Sequence, residues 1–86
     1  MDKEKFNKIM GETIRDSRIE KELTQNEVAA LIGMDAQNFS KYERGLISPT
    51  VFWTIKYCEA IKYDFGAFMN LLCTFYNTCT RKNMLN

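Results

Sequence analysis

The sequence contains no histidine, a single proline, only four glycines and no long apolar run. Without histidine, the chain lacks the side chain that most often serves as a general acid or base near neutral pH. It also has no glycine-rich phosphate loop and no nucleophile placed beside a base. The paired acids Glu12 with Asp16 and Glu20 with Glu22 are interpreted as a solvated helix face. We therefore do not expect an enzyme, and we expect neither a cofactor nor a metal.

The chain also lacks the apolar stretches that a membrane span or a signal peptide would need. A spanning helix takes about 20 apolar residues, and the charged start Met1-Asp2-Lys3-Glu4-Lys5 has no apolar core. These absences predict a cytoplasmic protein without membrane contact. Hydrophobic residues make up 45% of the 86 residues, which argues against disorder and for one compact domain spanning residues 1–86.

The three cysteines, Cys58, Cys73 and Cys79, form no CxxC pair. On one helix Cys73 and Cys79 would lie about 120° apart, which makes them poor joint ligands for a metal. Without export the thiols are expected to be reduced. The interpretation is three structural cysteines, and a redox or metal role is the alternative.

The formal net charge is only +1. Residues 1–23 carry six charges of each sign, residues 24–49 carry two basic against three acidic residues, and residues 50–86 carry a net charge of +2. A protein that binds a polyanion usually shows a stronger basic excess. The charge balance therefore gives little support to a nucleic-acid partner.

Helical periodicity runs through the whole chain and predicts an all-α fold of five helices. Thr24 with Glu27 three residues later forms a capping-box pattern, Gly33 suits a helix end, and Asp35 can cap the next helix. The predicted helices cover residues 3–21, 25–32, 36–44, 50–61 and 65–80.

The fourth predicted helix is apolar on two sides. Val51, Ile55 and Cys58 form one face, and Trp53 with Tyr57 marks a roughly opposite one. A helix that is apolar on two sides must be covered on two sides. A second subunit or a single larger core could provide that cover, and both interpretations stay open at this point.

One combination of residues has a fixed spacing that belongs to a known family. It consists of Ile14-Arg15, Arg18, Leu23-Thr24-Gln25, Glu27, Ala29, Ile32-Gly33, Phe39-Ser40, Tyr42-Glu43-Arg44-Gly45, Pro49, Ile55, Cys58, Ile61 and Phe68. With these residues the chain resembles the XRE, or lambda-repressor-like, helix-turn-helix family over about residues 10–68. The resemblance implies a five-helix bundle with a helix-turn-helix core at residues 24–45, whose third helix enters the major groove of DNA.

The resemblance also implies roles for particular residues. Gln25 would contact a phosphate or support a reading residue, and Gln37 and Lys41 would read bases, since glutamine can pair with adenine and lysine can donate to guanine. Arg18 and Glu43 match the positions of a structural ion pair. The residues expected to bind DNA are Gln25, Asp35, Ala36, Gln37, Asn38, Ser40, Lys41 and Arg44. Gln37 and Lys41 could instead be ordinary solvated residues.

The sequence departs from the family pattern at several positions. Leu46-Ile47 stands where many relatives have basic or polar residues, Ala36 replaces a frequent polar reader, and Lys62 stands where a glycine often ends the fourth helix. The first two departures remove possible DNA contacts.

A helix-turn-helix protein commonly binds DNA as a twofold dimer. We expect a homodimer through the last two helices, with Trp53, Tyr57, Phe75 and Tyr76 at its interface. The alternative is that these aromatic residues complete one core.

Two functions follow as hypotheses. The first is a sequence-specific regulator of transcription, a repressor that binds double-stranded DNA as a homodimer, with no small-molecule ligand evident. The second is a protein-interaction module, an antitoxin or adaptor, that keeps the fold but binds DNA weakly. The net charge of −1 in residues 24–49 and the apolar pair Leu46-Ile47 support the second hypothesis.

Overall fold

Five helices follow one another along the chain and pack into a bundle. The computed structural model describes the backbone of residues 1–85 and the side chains of residues 1–80, and this part of the protein contains no strand. The predicted all-α bundle of five helices is confirmed. Its elements are α1 (Lys3–Glu20), α2 (Gln25–Ile32), α3 (Ala36–Glu43), α4 (Val51–Ile61) and α5 (Phe65–Leu85).

The helix ends follow from side chains next to them in sequence. The Thr24 hydroxyl accepts a hydrogen bond from the Glu27 amide at 3.1 Å, and the Glu27 carboxylate accepts one from the Thr24 amide at 2.9 Å. Each bond satisfies an amide that the first turn of a helix leaves without a partner. Thr50 caps α4 in a similar way, accepting from the Trp53 amide at 3.0 Å.

The last helix is longer than the sequence pattern predicts. The prediction ended it at residue 80, whereas α5 continues to Leu85. Among the described helices, none combines the length and the apolarity that crossing a bilayer requires.

The core is centred on Tyr57 of α4. Four large apolar side chains also have no exposed surface, and they come from four different helices: Ile14, Val28, Phe39 and Phe68. Burial of each such side chain contributes roughly 1.5–3 kcal/mol to folding. The Tyr57 hydroxyl lies 2.8 Å from both the Ser17 hydroxyl and the Ile14 carbonyl, so its one polar atom is satisfied inside the core.

The placement of Tyr57 corrects one expectation. Tyr57 was predicted at a dimer interface, but it has no surface that a second subunit could contact. The face of α4 that carries Trp53 and Tyr57 is covered by the chain itself, since Trp53 stacks on Tyr42 with ring centroids 4.1 Å apart and on Tyr57 at 5.5 Å. The other face is only partly covered, because Val51 and Ile55 are exposed there whereas Cys58 is buried.

Candidate nucleic-acid interface

A tight turn joins α2 to α3. Gly33 adopts the left-handed conformation with φ of 71°, which costs a glycine little, and the Met34 amide donates to the Ala29 carbonyl at 2.9 Å. Asp35 then starts α3, its carboxylate accepting a hydrogen bond from the Gln37 amide at 2.9 Å. The two helices are thus set in a helix-turn-helix arrangement by three consecutive local interactions.

One side of α3 is anchored in the core and the other is open. Phe39 is fully buried, while Gln37, Asn38, Lys41 and Arg44 are exposed. A shallow concavity of about 430 Å³ lies between this open side and the start of α2. Its lining consists of Gln25, Ala36, Gln37, Ser40, Lys41 and Arg44.

Six of the eight residues that the sequence assigned to DNA therefore lie together around one surface concavity. The other two, Asp35 and Asn38, do not line it. The carboxylate of Asp35 faces the first amides of its own helix, where the helix dipole stabilises a negative charge. Asn38 is exposed, and it follows directly in the sequence on Gln37, which lines the concavity.

Arg18, Glu43 and Gln25 form one hydrogen-bond network beneath the concavity. The Arg18 guanidinium donates to the Glu43 carboxylate from Nε at 2.6 Å and from Nη2 at 3.2 Å. A third donor, Nη1, reaches the Leu23 carbonyl at 2.8 Å. The side chain of Glu43 is only 4% exposed, so this fork-shaped ion pair is largely screened from water. It ties the end of α1 to the end of α3 and to the segment before α2.

The same carboxylate orients Gln25. The amide nitrogen Nε2 of Gln25 donates to Glu43 Oε1 at 2.9 Å. Because a side-chain amide nitrogen carries two hydrogens, the second hydrogen of Gln25 remains for another acceptor. Glu43 therefore fixes the direction in which Gln25 can donate at the edge of the concavity.

The net charge of −1 over residues 24–49 does not describe the charge of this surface. All three acids of that segment are engaged elsewhere: Glu27 in the α2 cap, Asp35 in the α3 cap and Glu43 with Arg18. Within the side chains of residues 1–80, neither Lys41 nor Arg44 has a carboxylate within 4.0 Å. Because its lining contains Lys41 and Arg44 and no acid, the concavity is locally basic, which the count of charges along the sequence could not show.

The expected interface residues other than Tyr57 lie in different places. Trp53 is half-buried in the aromatic stack, Phe75 is half-buried against α1, and Tyr76 is 42% exposed. Sequence reasoning missed the exposure of Val51 and of Phe52, which is 71% exposed. Periodicity could not tell which side chains of the two apolar faces of α4 would be covered, and Phe52 belongs to neither face.

The cysteines do not come together. Cys58 is buried, Cys79 is half-buried and Cys73 is exposed, and all three are free thiols. In the part of the chain that the structure describes, no group of side chains could hold a metal ion.

Comparisons with known proteins agree with this geometry. Residues 9–67, more than half of the chain, match a family model described as a helix-turn-helix domain. Two crystal structures of the clp gene regulator ClgR from Corynebacterium glutamicum have a similar fold. One has a TM-score of 0.74 at 19% identity, covering 80% of this chain and 88% of the ClgR chain. The other has a TM-score of 0.79 at 16% identity, covering 93% and 86%. No curated protein matches the chain.

Proposed function

The chain belongs to the helix-turn-helix domain family, and from that premise we propose that it is a sequence-specific repressor of transcription that binds double-stranded DNA as a homodimer. The observation that carries the proposal is the basic concavity lined by Gln25, Gln37, Ser40, Lys41 and Arg44. Protein–DNA interfaces combine phosphate contacts, which fix register, with contacts to base edges, which carry sequence information. Side chains that can donate to phosphate oxygens and side chains that can donate to base edges both line this one concavity.

The residues divide into two roles. Gln37 and Lys41 project from the open side of α3, where an α-helix in the major groove meets base edges, and they would read sequence. Gln25, at the first position of α2, and Arg44, at the end of α3, would hold phosphates on either side. Because the Arg18–Glu43 network fixes Gln25, the phosphate contact and the reading helix would dock as one rigid unit.

The outer face of α5 supports a homodimer. Residues 65–80 contain no charged side chain, although most of this helix surface is exposed. Phe65, Met69, Cys73 and Tyr76 lie within an arc of about 80° and are all exposed. Depletion of charge with enrichment of aromatic residues and methionine is typical of the centre of a protein interface. A second copy packed on this stripe would give the twofold arrangement that reads half-sites about 34 Å apart.

A protein-interaction module remains the second candidate. Its support is the exposure of the neighbouring Val51 and Phe52 at the start of α4 and of Leu46 in the preceding loop, since exposed apolar surface marks contacts with other proteins. This candidate predicts weak binding to every DNA duplex.

Selection of bound duplexes from a random pool, followed by affinity measurements at several salt concentrations, tests the DNA-binding proposal. We expect a preferred site, and an affinity that falls steeply with salt because phosphate contacts release counterions.

The double substitution Gln37→Ala with Lys41→Ala should reduce discrimination between sites by about 1–3 kcal/mol for each base-reading side chain that is truncated. Lys56→Ala, on the exposed surface of α4, is the control and should leave discrimination unchanged. Unchanged site preference in a folded double variant would contradict the assigned reading residues, and no binding to any duplex at low salt would favour the interaction module.

Light scattering tests the homodimer. We expect the mass of two chains, reduced to that of one chain by Met69→Glu, which places a charge in the middle of the apolar stripe. Thr74→Glu is the matched control, because Thr74 is exposed on α5 outside the stripe. A parent protein with the mass of a single chain would exclude the homodimer.

A further inference from the structure

A second surface cavity lies between the first half of α1 and the later turns of α5. This α1–α5 groove has a volume of about 300 Å³. Its inner part is apolar, since Ile9 is buried and Phe75 and Cys79 are half-buried there. Its outer part is charged and exposed. The residues of the outer part are Lys5, Lys8 and Glu12.

The free charge at the mouth of the groove is positive. The lining residues of the groove include two lysines, Lys5 and Lys8, and one acid, Glu12. The ammonium groups of Lys5 and Lys8 have no carboxylate within 4.0 Å among the side chains of residues 1–80, and the nearby Asp2 carboxylate accepts a hydrogen bond from the Lys5 backbone amide at 2.8 Å. A ligand with a negatively charged end would therefore find donors that no acid of the described chain already occupies.

The size of the groove limits what it can hold. A volume of 300 Å³ is at the lower end for small-molecule pockets and equals roughly ten water volumes at about 30 Å³ each. A helix with side chains is about 10–12 Å across, which is too wide for such a space. A slender molecule of about ten carbons fits better.

From the apolar interior, the basic mouth and the volume, we infer that the α1–α5 groove binds a small apolar carboxylate of about ten carbons, such as a medium-chain fatty acid. Its carboxylate contacts Lys5 and Lys8, and its hydrocarbon part lies on Ile9, Phe75 and Cys79. Burial of the hydrocarbon supplies the affinity, and the charge-assisted contacts at the mouth select the anionic end.

The groove is connected to the DNA-binding side through Lys8. A β-carbon built on Gly45 would lie 3.0 Å from the Lys8 backbone nitrogen and α carbon, so the two backbones are in direct contact. Gly45 immediately follows Arg44, which lines the basic concavity. A ligand that shifts α1 at Lys8 would therefore move the end of α3, and this consequence for DNA affinity rests on the proposed function.

Titration of the full chain with decanoate, in the absence of DNA, tests the site itself. Calorimetry should show saturable binding of one molecule per chain. The amide resonances of Lys8, Ile9, Phe75 and Cys79 should shift. Decanol, which lacks the charge, and butyrate, which lacks the chain length, should each bind at least about tenfold more weakly. Equal binding of decanol, shifts confined to the exposed face of α4, or no saturable binding would overturn the assignment.

Variants locate the site independently. Lys5→Gln with Lys8→Gln should weaken decanoate binding about tenfold, the effect of losing roughly 1.4 kcal/mol of interaction. Thr78→Trp, which places a large ring at the edge of the groove, should abolish binding. Lys3→Gln and Asn77→Trp are the matched controls, because neither residue lines the groove, and both should bind as the parent does. Loss of binding in the controls, or full binding by Thr78→Trp, would exclude this groove. Because these measurements use no DNA, their outcome is separate from that of the duplex-binding experiments.

Discussion

Gly11 of α1 and Glu43 of α3 meet backbone to backbone. A β-carbon built on Gly11 would lie 2.3 Å from the Glu43 carbonyl oxygen and 2.9 Å from that of Tyr42, closer than atoms can approach without movement. The absence of a side chain at Gly11 therefore allows α1 to cross the end of α3 at this distance. The same crossing brings Arg18, two turns later in α1, to the Glu43 carboxylate.

Gly11→Ala should destabilise the protein by about 1–3 kcal/mol, because the added methyl group must push two packed backbones apart. The gain in helix propensity from glycine to alanine, up to about 1 kcal/mol, offsets only part of this cost. Urea unfolding followed by circular dichroism measures the change. Gly66→Ala is the control, since its β-carbon would meet only the rotatable Asp64 carboxylate, at 3.0 Å. Equal stability of both variants would show that the close approach imposes no constraint.

Glu43→Gln should cost about 3–5 kcal/mol, because it leaves the largely buried Arg18 guanidinium without its counter-charge. Replacing both partners, by Arg18→Met with Glu43→Leu, should recover much of that loss, since no uncompensated charge is then buried.

The surface pair Lys56–Glu59 provides the comparison, because Lys56 Nζ and Glu59 Oε1 are 4.0 Å apart and both side chains are mostly exposed. Glu59→Gln should change the free energy of unfolding by less than about 1 kcal/mol. A double variant as unstable as Glu43→Gln would contradict this account.

Lys62→Gly should stabilise the protein by about 0.5–1 kcal/mol. Lys62 ends α4 in the left-handed conformation with φ of 56°, which is unfavourable for a residue with a β-carbon and favourable for glycine. The same substitution inside the helix, Lys56→Gly, should destabilise by about 1 kcal/mol. Thermal melts of the two variants should move in opposite directions from the parent, and a lower melting temperature for Lys62→Gly would refute the interpretation.

Stability should fall as the pH rises through the alkaline range. Burial raises the pKa of the Cys58 thiol from 9.0 to about 11, with a smaller contribution from the Asp64 charge. Burial also raises the pKa of Tyr57 above its ordinary value of 10.0. In both cases the unfolded chain loses its proton at a lower pH than the folded chain, so unfolding is favoured as the pH rises.

The stabilising effect of the Cys58 thiol is complete below its unfolded pKa of 9.0 and is lost as the pH rises towards about 11. Urea unfolding at a series of pH values measures the slope, which should be shallower in Cys58→Ala. Thr74→Ala, on the exposed surface of α5 outside the apolar stripe, is the control and should leave the slope as in the parent. A flat profile between the two pKa values of Cys58 would contradict the assignment.

The start of the helix-turn-helix could be predicted because its signals are local. The Thr24–Glu27 capping box, the left-handed Gly33 and the Asp35 cap each depend on residues within three positions, and the structure contains all three. Lys62, noted as standing where the family often has glycine, adopts the left-handed conformation that glycine favours.

Features that depend on how helices cross could not be read from the sequence. Periodicity identifies two apolar faces of α4 but not which of their side chains the rest of the chain covers, so it predicts Tyr57 at an interface, whereas Tyr57 lies in the core. The contact of Gly11 with Glu43 depends on the crossing of α1 and α3, and no spacing of residues encodes it. The local charge of the concavity could not be read from the sequence either, because which basic and acidic side chains line it depends on how α2 packs against α3.

Trp53 is the one tryptophan in the chain, and it stacks on Tyr42 of α3 with the two rings only 7° from parallel. Its ultraviolet emission consequently originates at a single known point, the junction between α4 and the helix proposed to enter DNA. Any event that tilts α3 away from the bundle would alter the colour or the yield of that emission. The molecule thus carries an intrinsic fluorophore that reports on the packing of α3 against α4 without chemical labelling.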